Sequence, residues 1–368
     1  MSQDRECRAE QDVPVVAAPD LPYLPRDPEG YRPVIGLIGC GGIAPYHLRA
    51  YRKAGYRVAA LCDIAAARAD ELRNEHYPDG ICTTDYREVL ARSDVDVVDI
   101  TTHPSERTAI ITDALRAGKH VLSQKPFVTD IDEGRRLVGL AEECGRKLAV
   151  NQNGRWAPHF SYMRHAVDAG LIGDVTAIHL ALRWDHNWTA DTPFNDVKHL
   201  ILYDFAIHWF DIVTCFMGDR KPLSIFASTA HSPAQRAKPY LLAQVQIEYD
   251  GALVSLSFDA DTRHGAEDRS VVVGTKGTLV SFGPDLNTQT VTLQTADGIA
   301  TPTLEGDWFT NGFHGTMTEL LCAIEENREP YNSARHNLRS LALCFAAVAS
   351  AEQRQPIAPG TVLRLPGT

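Results

Sequence analysis

The sequence has no apolar run long enough to cross a bilayer, no cysteine pair spaced C-x-x-C, no block of basic residues and no internal repeat. Each absence excludes a class of protein. Without a spanning segment or a signal peptide, membrane insertion and export are not expected, and a cytoplasmic setting is. The eight cysteines are scattered, so neither a zinc site nor a disulfide framework is indicated, and reduced thiols are the default. Lys and Arg number 36 against 47 Asp and Glu, a formal net charge of -11. That balance does not suit nonspecific nucleic-acid binding. The fourteen histidines include no H-x-x-x-H or comparable ligand set, so no metal site is expected.

What is present is ordinary for a globular protein large enough for two domains: 368 residues, 44% hydrophobic and 23% charged. Residues 1–32 stand apart. They carry Pro14, Pro19, Pro22, Pro25 and Pro28, which suits an extended arm. Either the arm is a free tail or it docks. Val13, Val15, Val16, Leu21, Tyr23 and Leu24 favour docking, with a neighbouring subunit as the expected surface.

The chain is organised around Val34-Ile-Gly-Leu-Ile-Gly39-Cys-Gly41-Gly42-Ile43-Ala44-Pro45. Val34 to Ile38 reads as a buried strand that stops at glycines, and Pro45 suits a first helical turn. Gly39, Gly41 and Ala44 fit the G-x-G-x-x-G/A fingerprint of a dinucleotide-binding turn, with Gly42 and Ile43 in the same loop. The next strand candidate, Arg57 to Asp63, is apolar and ends in an acid about 20 residues beyond the glycines. A carboxylate there accepts from both ribose hydroxyls and repels a 2′-phosphate, so NAD is the expected cofactor.

Strands at Val95–Thr101, Lys119–Ser123 and Lys147–Gln152 alternate with helices at Ala65–His76, Ser105–Ala117 and Asp130–Cys144. That alternation means βαβ units and a parallel sheet. It also puts Thr101, Thr102, His103 and Pro104, together with Gln124, Lys125 and Pro126, on the rim of the glycine loop. After Asn153 the pattern changes. A helix at Pro158–Ala169 leads to a long strand ending at Trp184. Further extended segments follow, separated by Asp250-Gly251 and Lys276-Gly277, and read as a mostly antiparallel sheet. Two late helices, near Gly315–Glu326 and Ala334–Ala351, are expected to pack back on the body. The expected class is therefore α/β, a Rossmann domain at 33–152 and an α+β domain with an open-faced sheet at 153–368.

Leu200 to Met217 reads as one helix, apolar nearly all round, with Asp204, His208 and Asp211 at i, i+4 and i+7 on one face. Buried charges must be paired or used. A structural Asp–His pair and a catalytic one both fit. Lys125, at a strand end on the cofactor rim, is either solvated or placed to relay a hydroxyl proton. Trp184-Asp185-His186-Asn187-Trp188 closes the long strand, and polar groups between tryptophans suit a carbohydrate.

Taken together, the Gly39–Ala44 turn, Asp63, Lys125-Pro126, Asn153-Gly-Arg155-Trp-Ala-Pro158 and Asp204-x-x-x-His208-x-x-Asp211 resemble the Gfo/Idh/MocA family, over nearly all of the chain after Arg32. The resemblance implies NAD(P)-dependent oxidation of a secondary alcohol on a sugar, cyclitol or glycoside. It implies a catalytic Lys125, Asp204 and His208, with Asp204 orienting the imidazole. Gly39, Gly41, Gly42, Ile43, Asp63, Thr101, Thr102, Pro104 and Gln124 would bind cofactor, and Arg155, Trp184, Asp185, His186 and Asp211 substrate. A homo-oligomer, dimer or tetramer, built on the open sheet is also implied. Two departures stand out. Gln124 replaces the usual glutamate before Lys-Pro, and His103-Pro-Ser-Glu-Arg107 replaces a proline-x-x-x-histidine turn. Relatives of two other kinds leave alternatives open, redox-neutral cleavage of a glycoside and non-catalytic sensing.

Overall fold

The computed structural model describes residues 13–367; residues 1–12 of the expected arm lie outside the described residues. Six parallel strands form the first sheet: β1 (Val34–Ile38), β2 (Arg57–Cys62), β3 (Ile81–Thr83), β4 (Val95–Ile100), β5 (His120–Gln124) and β6 (Leu148–Asn151). Their order is β3-β2-β1-β4-β5-β6, so the switch point falls between β1 and β4. The crossing helices are α1 (Ala44–Lys53), α2 (Ala66–His76), α3 (Tyr86–Ala91), α4 (Pro104–Arg116) and α5 (Ile131–Glu143). Short β3 and α3, with little apolar pattern of their own, are the two elements here that the sequence reading missed.

The second sheet has eight strands: β7 (Val175–Arg183), β8 (Pro222–Ala230), β9 (Leu242–Tyr249), β10 (Ala252–Asp259), β11 (Glu267–Gly274), β12 (Gly277–Gly283), β13 (Thr290–Thr295) and β14 (Gly298–Ala300). Their order is β14-β13-β12-β11-β7-β10-β9-β8, antiparallel except for the parallel pair β7–β10. Burial alternates along β9, as a sheet with one covered face requires. The covering helices are α6 (Pro158–Asp168), α7 (Ile207–Met217) and α9 (Ala334–Gln353).

Helix α8 (Trp308–Glu325) crosses the division at residue 153. Its Phe313, Met317, Leu320 and Leu321 pack with Ile35, Leu37 and Leu48 of the first sheet's layer. It also starts seven residues before the expected Gly315, where Asp307 accepts from the Thr310 amide at 2.6 Å. Gly312 and Gly315 look like helix breakers in sequence, but they permit a close approach. A Cβ on Gly315 would lie 2.1 Å from the Trp156 ring, and one on Gly312 2.8 Å from the Asn153 carbonyl.

The expected single helix over Leu200–Met217 is not continuous. Ile201–Phe205 forms a π-turn, closed by Ala206 N–H donating to the Ile201 carbonyl at 2.7 Å, before α7 begins. The wider turn breaks the regular i, i+4 spacing between Asp204 and His208.

The described part of the arm docks on its own chain. Val16 N–H donates to Ile299 O at 2.9 Å and Ile299 N–H to Pro14 O at 2.8 Å, so the arm pairs with β14. Gly298, at φ +143°, makes room: a Cβ there would sit 2.2 Å from Pro14 O. The arm then crosses α6, where Tyr162 donates to Pro19 O and Ser161 to Tyr23 O. Finally it reaches α8, where the Glu325 carboxylate accepts from the amides of Glu29, Gly30 and Tyr31 at 2.6–2.8 Å. Asp27 accepts from Tyr56, His314 and Thr318. Burial alone would raise its pKa, but those bonds hold it below the ordinary 3.8.

Asp27→Ala should therefore lower the Tm by a few degrees at neutral pH, because three donors lose their acceptor. A depressed carboxylate pKa contributes stability above its unfolded value and loses it as pH falls through the folded value. The difference between mutant and wild-type Tm should begin to shrink as pH falls through 3.8 and should close only below the lower folded-state value. A Tm difference that persists unchanged into acid would exclude this origin.

Candidate active site

The strand β1 ends at Gly39, whose φ of +102° and missing side chain let the backbone turn beside Thr101 and Thr102. A Cβ on Gly41 or Gly42 would meet no atom within 4 Å, so this loop turns bare backbone toward open space. Helix α1 begins at Ala44 with Pro45 in its first turn and with no side chain capping its amides. The dipole of α1 and the open space beside Gly41 and Gly42 make this N-terminus fit a pyrophosphate. Asp63 sits beside it, its carboxylate accepting from the amides of Cys40 at 2.7 Å and Ala65 at 2.8 Å. Thr101 donates to Gly39 O, and Thr102 Oγ1 is buried without a partner. Ile43 flanks the glycines and Pro104 starts α4 on the same rim. Gly39, Gly41, Gly42, Ile43, Asp63, Thr101, Thr102 and Pro104 thus stand where a dinucleotide could be held.

Gln124 does not face that space. It is 6% exposed. Its Oε1 accepts from the Lys125 amide at 2.6 Å and its Nε2 lies 3.1 Å from His47 Nε2. Asn151 Nδ2 approaches the same ring nitrogen at 3.1 Å, so His47 accepts there and donates through Nδ1 to Asp99 Oδ2 at 2.6 Å. Tyr51 also donates to Asp99, and Thr316 donates to Asn151. The expected cofactor contact is spent on this buried chain, because an amide enclosed there must satisfy both its ends.

Arg107, 1% exposed, is a second residue that the motif reading left without a role. Its guanidinium donates to the carbonyls of Thr102, Gln124 and Pro126, tying the two rim segments together. Burial pushes its pKa down to about 10, which still leaves it charged at neutral pH. The His103-Pro-Ser-Glu-Arg107 run was the available signal. His47 had none beyond its place on the buried face of α1.

Lys125, at the end of β5, donates through Nζ to the Asp204 carbonyl at 2.9 Å and to Asp204 Oδ2 at 3.1 Å. Both side chains are 16% exposed. Asp204 therefore pairs with Lys125, and His208 does not share that bond. His208 lies edge-on to Trp209 and Trp308, its Nδ1 enclosed without a hydrogen bond. Burial, and then the charge of Lys125, hold its pKa well below the usual histidine value.

Arg155 and Asp211 also come together, but away from the open rim. Arg155 Nε and Nη2 bind the two Asp211 oxygens at 2.6 and 2.7 Å, with the side chains 2% and 1% exposed. Ser340 donates to Asp211 at 2.8 Å and Arg155 donates to Tyr331 O. A bidentate pair so enclosed has no free face for substrate, and the expected contacts are corrected to a structural role. Trp184 stacks on His186 at 5.1 Å, and His186 packs on Phe205, whose ring centre is 6.0 Å from Lys125 Nζ. Burial lowers the His186 pKa to about 4. Asp185 is exposed and accepts from Asn187.

Residues 34–152 match the oxidoreductase family with an NAD-binding Rossmann fold, and residues 160–280 match the GFO/IDH/MocA C-terminal domain. The chain belongs to the Gfo/Idh/MocA oxidoreductase family. The inositol 2-dehydrogenase of Rhizobium meliloti (strain 1021) is 29% identical over 332 residues, 87% of this chain and 97% of that one. The D-apiose dehydrogenase of Paraburkholderia graminis is 27% identical over 351 residues, covering 87% and 88%. Among solved structures, an oxidoreductase from Agrobacterium radiobacter in complex with NAD+, L-tartaric acid and magnesium superposes with a TM-score of 0.81 at 21% identity. It covers 90% of this chain and 100% of its own. The shared fold of this Gfo/Idh/MocA chain thus extends through both sheets, and the protein is an NAD(P)-dependent oxidoreductase. Among the described residues, no cluster of His, Cys, Asp and Glu is placed to hold a metal and no helix is long and apolar enough to cross a membrane.

Asp211→Ala should cost about 3–5 kcal/mol, because it strands a buried guanidinium. The loss should appear in the Tm, with the substrate KM of the folded fraction unchanged. A variant with wild-type Tm and a raised KM would return Asp211 to the substrate.

Proposed function

We propose that this enzyme oxidises a secondary hydroxyl of a sugar, cyclitol or glycoside to a ketone, with NAD as the hydride acceptor. The observation that carries the reading is the convergence of Lys125, bonded to Asp204, with a buried His208 whose Nδ1 has no partner and whose pKa the lysine charge helps to lower. The names of the inositol 2-dehydrogenase and D-apiose dehydrogenase relatives support the substrate class.

The bare loop at Gly39–Gly42, at the N-terminus of α1, would hold the pyrophosphate, and Asp63 the adenosine ribose diol. Ile64, 94% exposed, offers no positive charge to a 2′-phosphate. NAD, when bound, supplies the ring that accepts the hydride. Lys125 would donate to the substrate oxygen, and Asp204 fixes that ammonium in place. His208 would take the hydroxyl proton at Nε2, since Nδ1 is enclosed. Its low basicity has two sources, burial and the neighbouring cation. Negative charge developing on the substrate oxygen offsets the second, so the ring becomes a better base as the reaction proceeds. The outer face of the second sheet, with Phe226, Leu253 and Phe282 exposed, is the surface we assign to a homo-oligomer.

Lys125→Ala and His208→Ala should each lose about 10²–10⁴-fold in turnover while NAD still binds. Near-normal turnover in either variant would refute the assignment. With the histidine pKa held low, kcat/KM for oxidation should stay level as pH falls from 8 to 6, because the base remains unprotonated throughout. An inflection near 6.5 that disappears in a His208 variant would count against it. Titration calorimetry should show NAD binding at least about tenfold more tightly than NADP, and equal affinities would remove the role given to Asp63.

A further inference from the structure

Trp188 is half exposed, at 50%, on the segment that leaves β7 for the π-turn. Its ring does not stand alone. Phe194 and Phe205 meet it edge-on, at 5.9 and 6.4 Å with interplanar angles of 90° and 83°, and His186 lies at 6.1 Å. Phe205 is the ring nearest the site, 6.0 Å from Lys125 Nζ. An aromatic wall therefore runs outward from the ammonium expected to hold the reacting oxygen and ends at the half-open face of Trp188.

The segment that carries this wall is braced. Asn187 accepts from the Arg236 amide at 2.6 Å and donates to Asp185 and Asp261 at 2.8 and 2.6 Å. Asn195 accepts from the Lys238 amide at 2.8 Å. Arg236 pairs with Asp191 and Lys238 with Asp196. Exposing an indole face to water is unfavourable, and so many bonds hold it in one pose that the exposed face is preorganised for a ligand. A compact cyclitol bonded to Lys125 and His208 would leave Trp188 uncovered. A substrate with a second ring beyond its oxidised ring would cover it.

We propose that Trp188, backed by Phe194 and Phe205, is a subsite for the second ring of a glycoside, an aryl aglycone or another pyranose, bound through its flat face. This rests on the reading of the site as a carbohydrate dehydrogenase and narrows its substrate class. Half of Trp188 is open to solvent, and an aryl ring or the C–H face of a sugar packs on an exposed indole.

The test compares free glucose and myo-inositol with phenyl α- and β-glucosides and with glucose disaccharides, using the full chain with NAD. The better phenyl glucoside or disaccharide should have a KM about tenfold below that of free glucose. Trp188→Ala should bring that ratio close to one, and Trp188→Tyr should keep most of it. Preference for phenyl glucosides alone or disaccharides alone identifies which second ring is bound. A ratio near one in the wild type, or one that survives Trp188→Ala, overturns the subsite. If none of these compounds is oxidised, the dehydrogenase reading fails for this set, and the subsite is read separately by saturation-transfer NMR. Phenyl protons should then receive magnetisation from the wild type and not from Trp188→Ala, and no transfer to either protein overturns it.

Discussion

One ion pair holds the site together across the two halves of the molecule. Lys125 comes from the end of a strand in the parallel sheet, and Asp204 from the π-turn that feeds a helix under the other sheet. Both are mostly enclosed, so each charge depends on the other to offset its lost hydration. Everything near them restricts where they can sit. The Gln124 side chain holds the Lys125 amide, the His47–Asp99 pair holds Gln124, and Arg107 clamps the carbonyls on either side of Lys125. The π-turn is the matching device on the other half, because an unbroken α-helix would aim the Asp204 carboxylate elsewhere.

These buried polar groups do not all act in the same way. Arg155 and Asp211 complete each other with two short bonds and keep nothing for a ligand. His208 is the opposite case, enclosed among indoles with a ring nitrogen unspent. A buried charge pair adds little net stability but is costly to break, so the first arrangement fixes geometry. An unspent buried base adds no stability at all, and its presence makes sense through chemistry.

Most of the scaffold was legible from local pattern. The glycine turn, Asp63 and the alternating strands and helices followed from period and turn chemistry, and their ends shifted by a residue or two at most. What failed depended on contacts distant in sequence. Asn311-Gly312 and Gly315 look like breakers, and only the Trp156 ring and Asn153 carbonyl opposite explain why a helix needs them. Asp204, His208 and Asp211 were singled out together, but their spacing assumed a regular helix, so the partners came out wrong. Asp211 belongs to Arg155 and Asp204 to Lys125, at separations of 56 and 79 residues. Gln124 was placed on the rim correctly, yet the direction of its amide depended on His47, 77 residues earlier.

The arm has a consequence for the order in which the chain assembles. Its partners Ile299, Thr318 and Glu325 lie nearly 300 residues downstream. The arm is made well before those partners, so docking waits until β14 and α8 have been synthesised. The arm closes the longest loops in the molecule, and such contacts form late because their entropy cost is met only once the body exists. It serves as a closing latch, engaged only once its late partners exist.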